Sequence, residues 1–273
     1  MRQLGIDSQT VFGMPPVDYA QLVADLGCNH ITSGHGPVPW KLNRFPAWSL
    51  RDDPNLRREL LAVMRDRGVS LALAEGFTVR PEIEAADRAA DLDLFATLGA
   101  ERVSAVSMEP DPARALDQLA TLAELAAQRN MQFVIEFAPP HPCINTLGRA
   151  LAAVRYIGRP NVALLIDAMH LFRSGGSVAQ LAALDPNLIG YVQLCDVPRL
   201  PSTDDYFAEA CLERKCPGEG ELPLSDLLKV IPPGTRIGLE VPLHSELRVT
   251  DAVRHVIGRV VESARRLLEE LDP

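Results

Sequence analysis

A chain of 273 residues with 27 Lys and Arg against 36 Asp and Glu carries a formal net charge of −9, the wrong sign for tracking a phosphate backbone. Its 47% hydrophobic content suffices for a core, yet no apolar run reaches the roughly 18 residues that a membrane span needs. The length suits one α/β barrel, typically about 250 residues, and no shift in composition divides 1–273, so a single domain is expected.

The amino terminus, MRQLGIDSQTVFG, lacks a basic stretch followed by an apolar one, and no signal peptide is expected. Cys28, Cys143, Cys195, Cys211 and Cys216 are scattered without a CxxC pair, which suits reduced thiols in the cytoplasm. Cys211 and Cys216 are poorly spaced for a metal or redox pair.

Short apolar runs alternate with helix-like stretches along the whole chain. The first strand is predicted over 4–7, then a helix over 17–26 stopped by Gly27. A second strand over 29–32 leads into SGHGPVPWKLNRFPAWSLRDDP, whose four Pro residues forbid regular structure. Trp40, Phe45 and Trp48 are too apolar for an idle loop; they suit a lid or substrate wall, or else a satellite packing cluster or oligomer contact. A helix over 55–67 precedes a third strand over 69–74 that delivers Glu75 at its end. A helix over 81–98, a fourth strand over 102–107 and a helix over 112–129 follow. The fifth strand, 132–137, carries Glu136 near its end, and a helix is predicted over 146–157.

The sixth strand, 162–166, is five apolar residues in succession, as a strand buried on both faces requires; it ends in Asp167, with His170 three residues on. A short helix follows Ser177, and the seventh strand over 189–194 contains Gln193. The eighth strand, 236–239, leads to Glu240, and the last helix is placed over 250–271. Eight strand-then-helix units describe a single closed (β/α)8 TIM barrel. An open doubly wound sheet is the alternative, and no GxGxxG follows the first strand to support it.

Asp7, Glu75, Glu136, Asp167, Gln193 and Glu240 all fall at or near carboxyl ends of strands, where barrel active sites are built. So many acids at one mouth repel one another unless a cation or protons intervene. Glu136, Asp167, Gln193 and Glu240 come from consecutive strands, and alternation puts Gln193 on the face of Tyr191 and Cys195, opposite Asp196. Four oxygen donors without an imidazole suit Mg2+ or Mn2+ better than Zn2+. Any one of these acids alone would be read as a capping or salt-bridged carboxylate.

Glu in IEFAPP, Asp and His in IDAMHLFRSGG, Gln in YVQLCD, the PGEGEL run and Glu in GLEVP together resemble the xylose-isomerase-like sugar phosphate isomerase/epimerase superfamily. The resemblance implies a divalent metal, Mn2+ or Mg2+, on Glu136, Asp167, Gln193 and Glu240, with His170 on substrate oxygens. Glu75 and Trp40 are further candidate substrate contacts. Ketose 3-epimerases usually place His where Gln193 stands; Gln followed by Asp and a PGxGE run is more like the hydroxypyruvate isomerase branch. That branch has a short Arg-bearing connection where this chain has a long insertion over 198–216, within which Arg199 and Arg214 are both candidate anion contacts.

The implied activity is isomerisation or epimerisation of a sugar or small hydroxy-keto compound through an enediolate, with Glu136 and Glu240 removing and returning a carbon-bound proton. The alternative is a dehydratase on a cyclic polyol or keto-sugar, with His170 or His244 as the acid. A non-catalytic carbohydrate-binding barrel and a DNA-repair enzyme rank lower; six His residues are few for a multi-zinc site. The expected partner is a small carbohydrate or keto acid, with homo-oligomerisation as a further expectation and neither nucleic acid nor membrane.

Overall fold

A computed structural model describes residues 2–201, 203–249 and 252–271. Eight parallel strands close into one barrel in sequence order: β1 (Leu4–Ile6), β2 (His30–Ser33), β3 (Ser70–Val79), β4 (Arg102–Ser107), β5 (Gln132–Ile135), β6 (Val162–Asp167), β7 (Ile189–Leu194) and β8 (Ile237–Leu239). The seam pairs Leu4 with Ile237 and Gly5 with Gly238, which rules out the open-sheet alternative. Alternate strand residues, among them Leu73, Val134, Leu165 and Tyr191, fill the interior as a separate packed layer. Their opposite neighbours pack against the helices, which is why β6 and β7 are buried at every residue.

Around the barrel run α1 (Pro16–Asp25), α2 (Pro54–Arg67), α3 (Ala89–Thr97), α4 (Pro112–Ala127), α5 (Leu147–Ile157), α6 (Ala168–Arg173), α7 (Val178–Ala182), α8 (Tyr206–Leu212), α9 (Leu224–Val230), α10 (His244–Val249) and α11 (Val253–Glu269). Among the described residues no helix is long and apolar enough to cross a membrane.

Several elements differ from the pattern of the sequence. The strand predicted over 69–74 runs on to Val79, because the pairing with β4 shifts between Ala74 and Phe77 around Gly76 at φ 89°. Glu75 therefore sits inside β3 at a bulge rather than at its end. The helix predicted over 81–98 begins only at a 3-10 turn from Ala85, after Arg80 and Ile83 form an isolated bridge. The stretch after Asp167, where no helix is predicted before Ser177, is helical at once: Asp167 caps α6 and His170 lies on that helix. The insertion contains α8, capped by Asp205, which short-range periodicity did not reveal. The start of the last predicted helix, Thr250, lies outside the described residues; helix is present on either side, as α10 and α11.

Candidate active site

A cavity of about 500 Å³ opens at the carboxyl end of the barrel, and Trp40, Glu75, Glu136, His170, Gln193 and Glu240 all line it. Asp167 lies just beneath the wall, wholly buried, and Arg214 reaches the cavity from the insertion. Arg199 is not brought to the site: its side chain is exposed, and its backbone alone is used, accepting from Arg173 and donating to Glu221. The physical reason is its position at the start of the insertion, outside the turn that carries α8 inward. His244 is likewise absent from the cavity; its ring packs edge-on against Phe12.

Arg214 stands between two members of the expected metal quartet, Asp167 and Glu240. Its Nη1 lies 2.5 Å from Asp167 Oδ2 and its Nη2 lies 3.0 Å from Glu240 Oε2, with the side chain 1% exposed. Asp167 Oδ1 meanwhile accepts the His170 amide at 2.8 Å, and Glu240 Oε1 accepts from Gln193 Nε2 at 3.0 Å. Burial works to raise the Asp167 carboxyl, but the Arg214 charge, His170 and these hydrogen bonds overcome it and hold it at about 2. One guanidinium cannot serve every neighbouring acid. Burial first, despite Arg214, and then repulsion from Asp167, Glu136 and Asp7 push the Glu240 carboxyl well above its ordinary range.

The quartet's carboxylates are thus not gathered on one point. Among the described residues, the acids whose ligand atoms lie within 4.8 Å of one another are Asp7, Glu75 and Glu240. Asp7 Oδ1 accepts from Tyr191 Oη at 2.8 Å, while Asp7 Oδ2 and Gln193 Oε1 are buried without a partner. Gly238 makes room for this arrangement, since a Cβ there would overlap Asp7 Oδ1 and Tyr191 Oη. Glu75 Oε2 accepts from Ser8 Oγ at 2.6 Å and Thr32 Oγ1 at 2.9 Å. Burial nevertheless raises Glu75 to about 7, and burial with repulsion from Glu75 raises Asp7.

Capping explains the Asp-x-x-His spacing. Because Asp167 ends β6 and caps α6, the first turn of that helix swings His170 back over the barrel mouth, with Nε2 3.4 Å from Glu136 Oε1. On the other edge of the ring, Tyr206 Oη lies 2.6 Å from His170 Nδ1. Tyr206 lines the cavity and comes from the insertion, as do Phe207, Ala210 and Cys211. The sequence reading missed Tyr206 because a single tyrosine after the Pro- and Asp-bearing start of the insertion carries no periodicity. The PGEGEL run has a structural role: Asp196 Oδ2 accepts the Gly218 amide and Oδ1 the Leu222 amide, both at 3.0 Å, folding the run onto β7.

The profile of the xylose isomerase-like TIM barrel family matches residues 20–267. The chain is 27% identical over 117 residues to the inosose isomerase of Halalkalibacterium halodurans, covering 41% of this chain and 39% of that protein. It is 30% identical over 170 residues to the 3-dehydroshikimate dehydratase of Pseudomonas aeruginosa, covering 60% of this chain and 26% of that one. The matches thus span well under half of these enzymes. In fold it resembles the zinc-bound IolI protein, with a TM-score of 0.77 at 18% identity over 99% of this chain and 98% of that one. It also resembles the D-psicose 3-epimerase of Clostridium cellulolyticum, with a TM-score of 0.69 at 14% identity over 100% and 98% of the two chains. The profile match over nearly the whole length, on a closed eight-stranded barrel, makes this chain a member of the xylose isomerase-like TIM barrel family.

Proposed function

We propose that this protein is a divalent-metal-dependent isomerase or epimerase of a sugar or small hydroxy-keto compound, acting through an enediolate. The observation that carries the reading is the pair Glu136 and Glu240, just past β5 and β8, lining one cavity with His170 and Gln193 between them in strand order. Two carboxylates of unlike environment are what proton removal and return require. Glu136 takes the proton from the carbon beside the substrate carbonyl. Glu240, pushed up by burial, is the partner that gives one back, to a neighbouring carbon or to the opposite face. His170 offers a hydrogen bond to a substrate oxygen, and Trp40 covers the apolar side of the ligand.

When bound, a divalent ion supplies Lewis-acid stabilisation of negative charge growing on the substrate oxygens. The residues fit such an ion: Arg214 is a cation standing in between Asp167 and Glu240, Gln193 Oε1 is a buried oxygen with no donor, and every donor is oxygen. Glu136, Asp167, Gln193 and Glu240 are the proposed ligands for Mn2+ or Mg2+, with Arg214 yielding its place. Asp7, Glu75 and Glu240 form the competing position, favoured by their present spacing.

A dehydratase is the second reading, in which the same enolate expels a β-hydroxyl and His170 protonates it. The likeness to a dehydratase over 170 residues favours it. Metal-loaded protein incubated in deuterated water with ketoses, inososes and small keto acids tests both. Deuterium on carbon without ultraviolet absorbance supports isomerisation or epimerisation, an absorbing unsaturated product supports dehydration, and no exchange with any compound rejects enolisation.

A further inference from the structure

Two short helices meet at the rim of the cavity with matched spacing. His170 and Arg173 lie three residues apart on α6, and Tyr206 and Glu209 lie three apart on α8. Tyr206 Oη stands 2.6 Å from His170 Nδ1, while Arg173 Nη2 meets Glu209 Oε1 at 2.7 Å and Arg173 Nε meets Oε2 at 3.0 Å. The second contact is a buried bidentate ion pair, 8% and 2% exposed, of the kind that fixes orientation as well as position. Arg173 also donates to the carbonyls of Pro198 and Arg199, so it ties down the start of the insertion too. The insertion is therefore clamped to the helix that carries the site imidazole, one turn from that imidazole.

We propose that Tyr206 is a positioning residue that selects the Nε2–H tautomer of His170, so that the insertion sets which edge of the ring donates into the cavity. A neutral imidazole carries one N–H, and which nitrogen bears it follows from the partners of both. Nε2 faces the Glu136 carboxylate, 3.4 Å away, which in its ionised form accepts only. Nδ1 faces a phenol that keeps its proton, because burial raises Tyr206 far out of its ordinary range. Tyr206 O–H donates to Nδ1, and Nε2–H is left to donate toward Glu136 or a substrate oxygen. Asp167 Oδ1 lies 3.7 Å from the same Nδ1, and without the Tyr206 hydroxyl this acceptor favours the opposite tautomer. Removing one hydroxyl thus turns the donor edge of the ring away from the cavity, much as the orienting partner of a catalytic or metal-bound histidine sets its tautomer.

The catalytic consequence rests on the enolisation reading; the tautomer does not. Protein labelled with 15N in histidine, metal-free and at alkaline pH, gives ring-nitrogen spectra that report the tautomer directly, with His170→Gln identifying the signal. Wild-type is expected to show Nε2 protonated and Nδ1 bare, and Tyr206→Phe is expected to shift the ring toward Nδ1–H. Glu209→Gln, which keeps the phenol but loosens the clamp, is expected to broaden or partly shift the same signal. With an exchanging substrate, Tyr206→Phe is expected to lower kcat about tenfold with KM within about twofold. An Nδ1–H ring in wild-type, or an unchanged tautomer in Tyr206→Phe, overturns the proposal. Loss of exchange in every protein with wild-type still Nε2–H would instead count against enolisation alone.

Discussion

The Arg214 guanidinium meets the Asp167 carboxylate at 2.5 Å inside the barrel mouth, with both side chains out of solvent. Removing one partner of such a pair leaves a buried charge uncompensated, at a typical cost of about 3–5 kcal/mol. Arg214→Met is expected to lose about that much in urea unfolding of the metal-free protein. If the guanidinium stands where a metal ion sits, Mn2+ restores more of the loss in the variant than it adds to wild-type. A variant as stable as wild-type without metal contradicts the first part, and an equal Mn2+ increment in both proteins contradicts the second.

The two candidate cation positions share Glu240 and differ in everything else. Calorimetric titration with Mn2+ separates them: Asp167→Asn is expected to weaken binding by at least tenfold, while Asp7→Asn stays within about twofold. The reverse ranking moves the ion to Asp7, Glu75 and Glu240.

Glu75 sets a pH dependence for the metal-free protein. Burial raises its carboxyl from an ordinary 4.5 to about 7, so between those values the folded state holds a proton that the unfolded state has released. Its contribution is full below about pH 4.5 and is lost as pH rises through about 7, amounting to about 3 kcal/mol at most. Relative to Glu75→Gln, wild-type should lose stability across that window in urea titrations. Parallel profiles for the two proteins would show that the carboxyl is not raised.

Trp40 lines the cavity from the long loop after β2, whose Leu42 and Leu50 are buried anchors. Trp40→Ala is expected to raise KM about tenfold, near 1.4 kcal/mol, with kcat within about threefold. Equal losses in both constants would make the loop part of the chemistry rather than a wall.

The barrel was legible because each strand is a short apolar run bounded by turn residues, and because its acids fall at carboxyl ends. Glu136, Asp167, Gln193 and Glu240 could be named from that pattern, and the cavity gathers Glu136, Gln193 and Glu240 on its wall, with Asp167 just beneath. What was not legible is how charge is shared among them. Nothing in the spacing of Arg199 and Arg214 tells which one turns inward; α8 and the bridge between Asp196 and Lys215 decide it. Tyr206 escaped for the same reason: its role is a contact with His170 across 36 residues, invisible to local periodicity. Glu75 was seen, yet placed at a strand end, because a bulge at Gly76 has no hydrophobic signature.

The most direct test is proton exchange at carbon in deuterated water, read by NMR on metal-loaded wild-type, Glu136→Gln and Glu240→Gln, with circular dichroism to verify folding. Wild-type should place deuterium beside the carbonyl of at least one hydroxy-keto substrate, and either variant should slow this by about 100-fold or more while remaining folded. Exchange at the wild-type rate in both variants would contradict the two-carboxylate account.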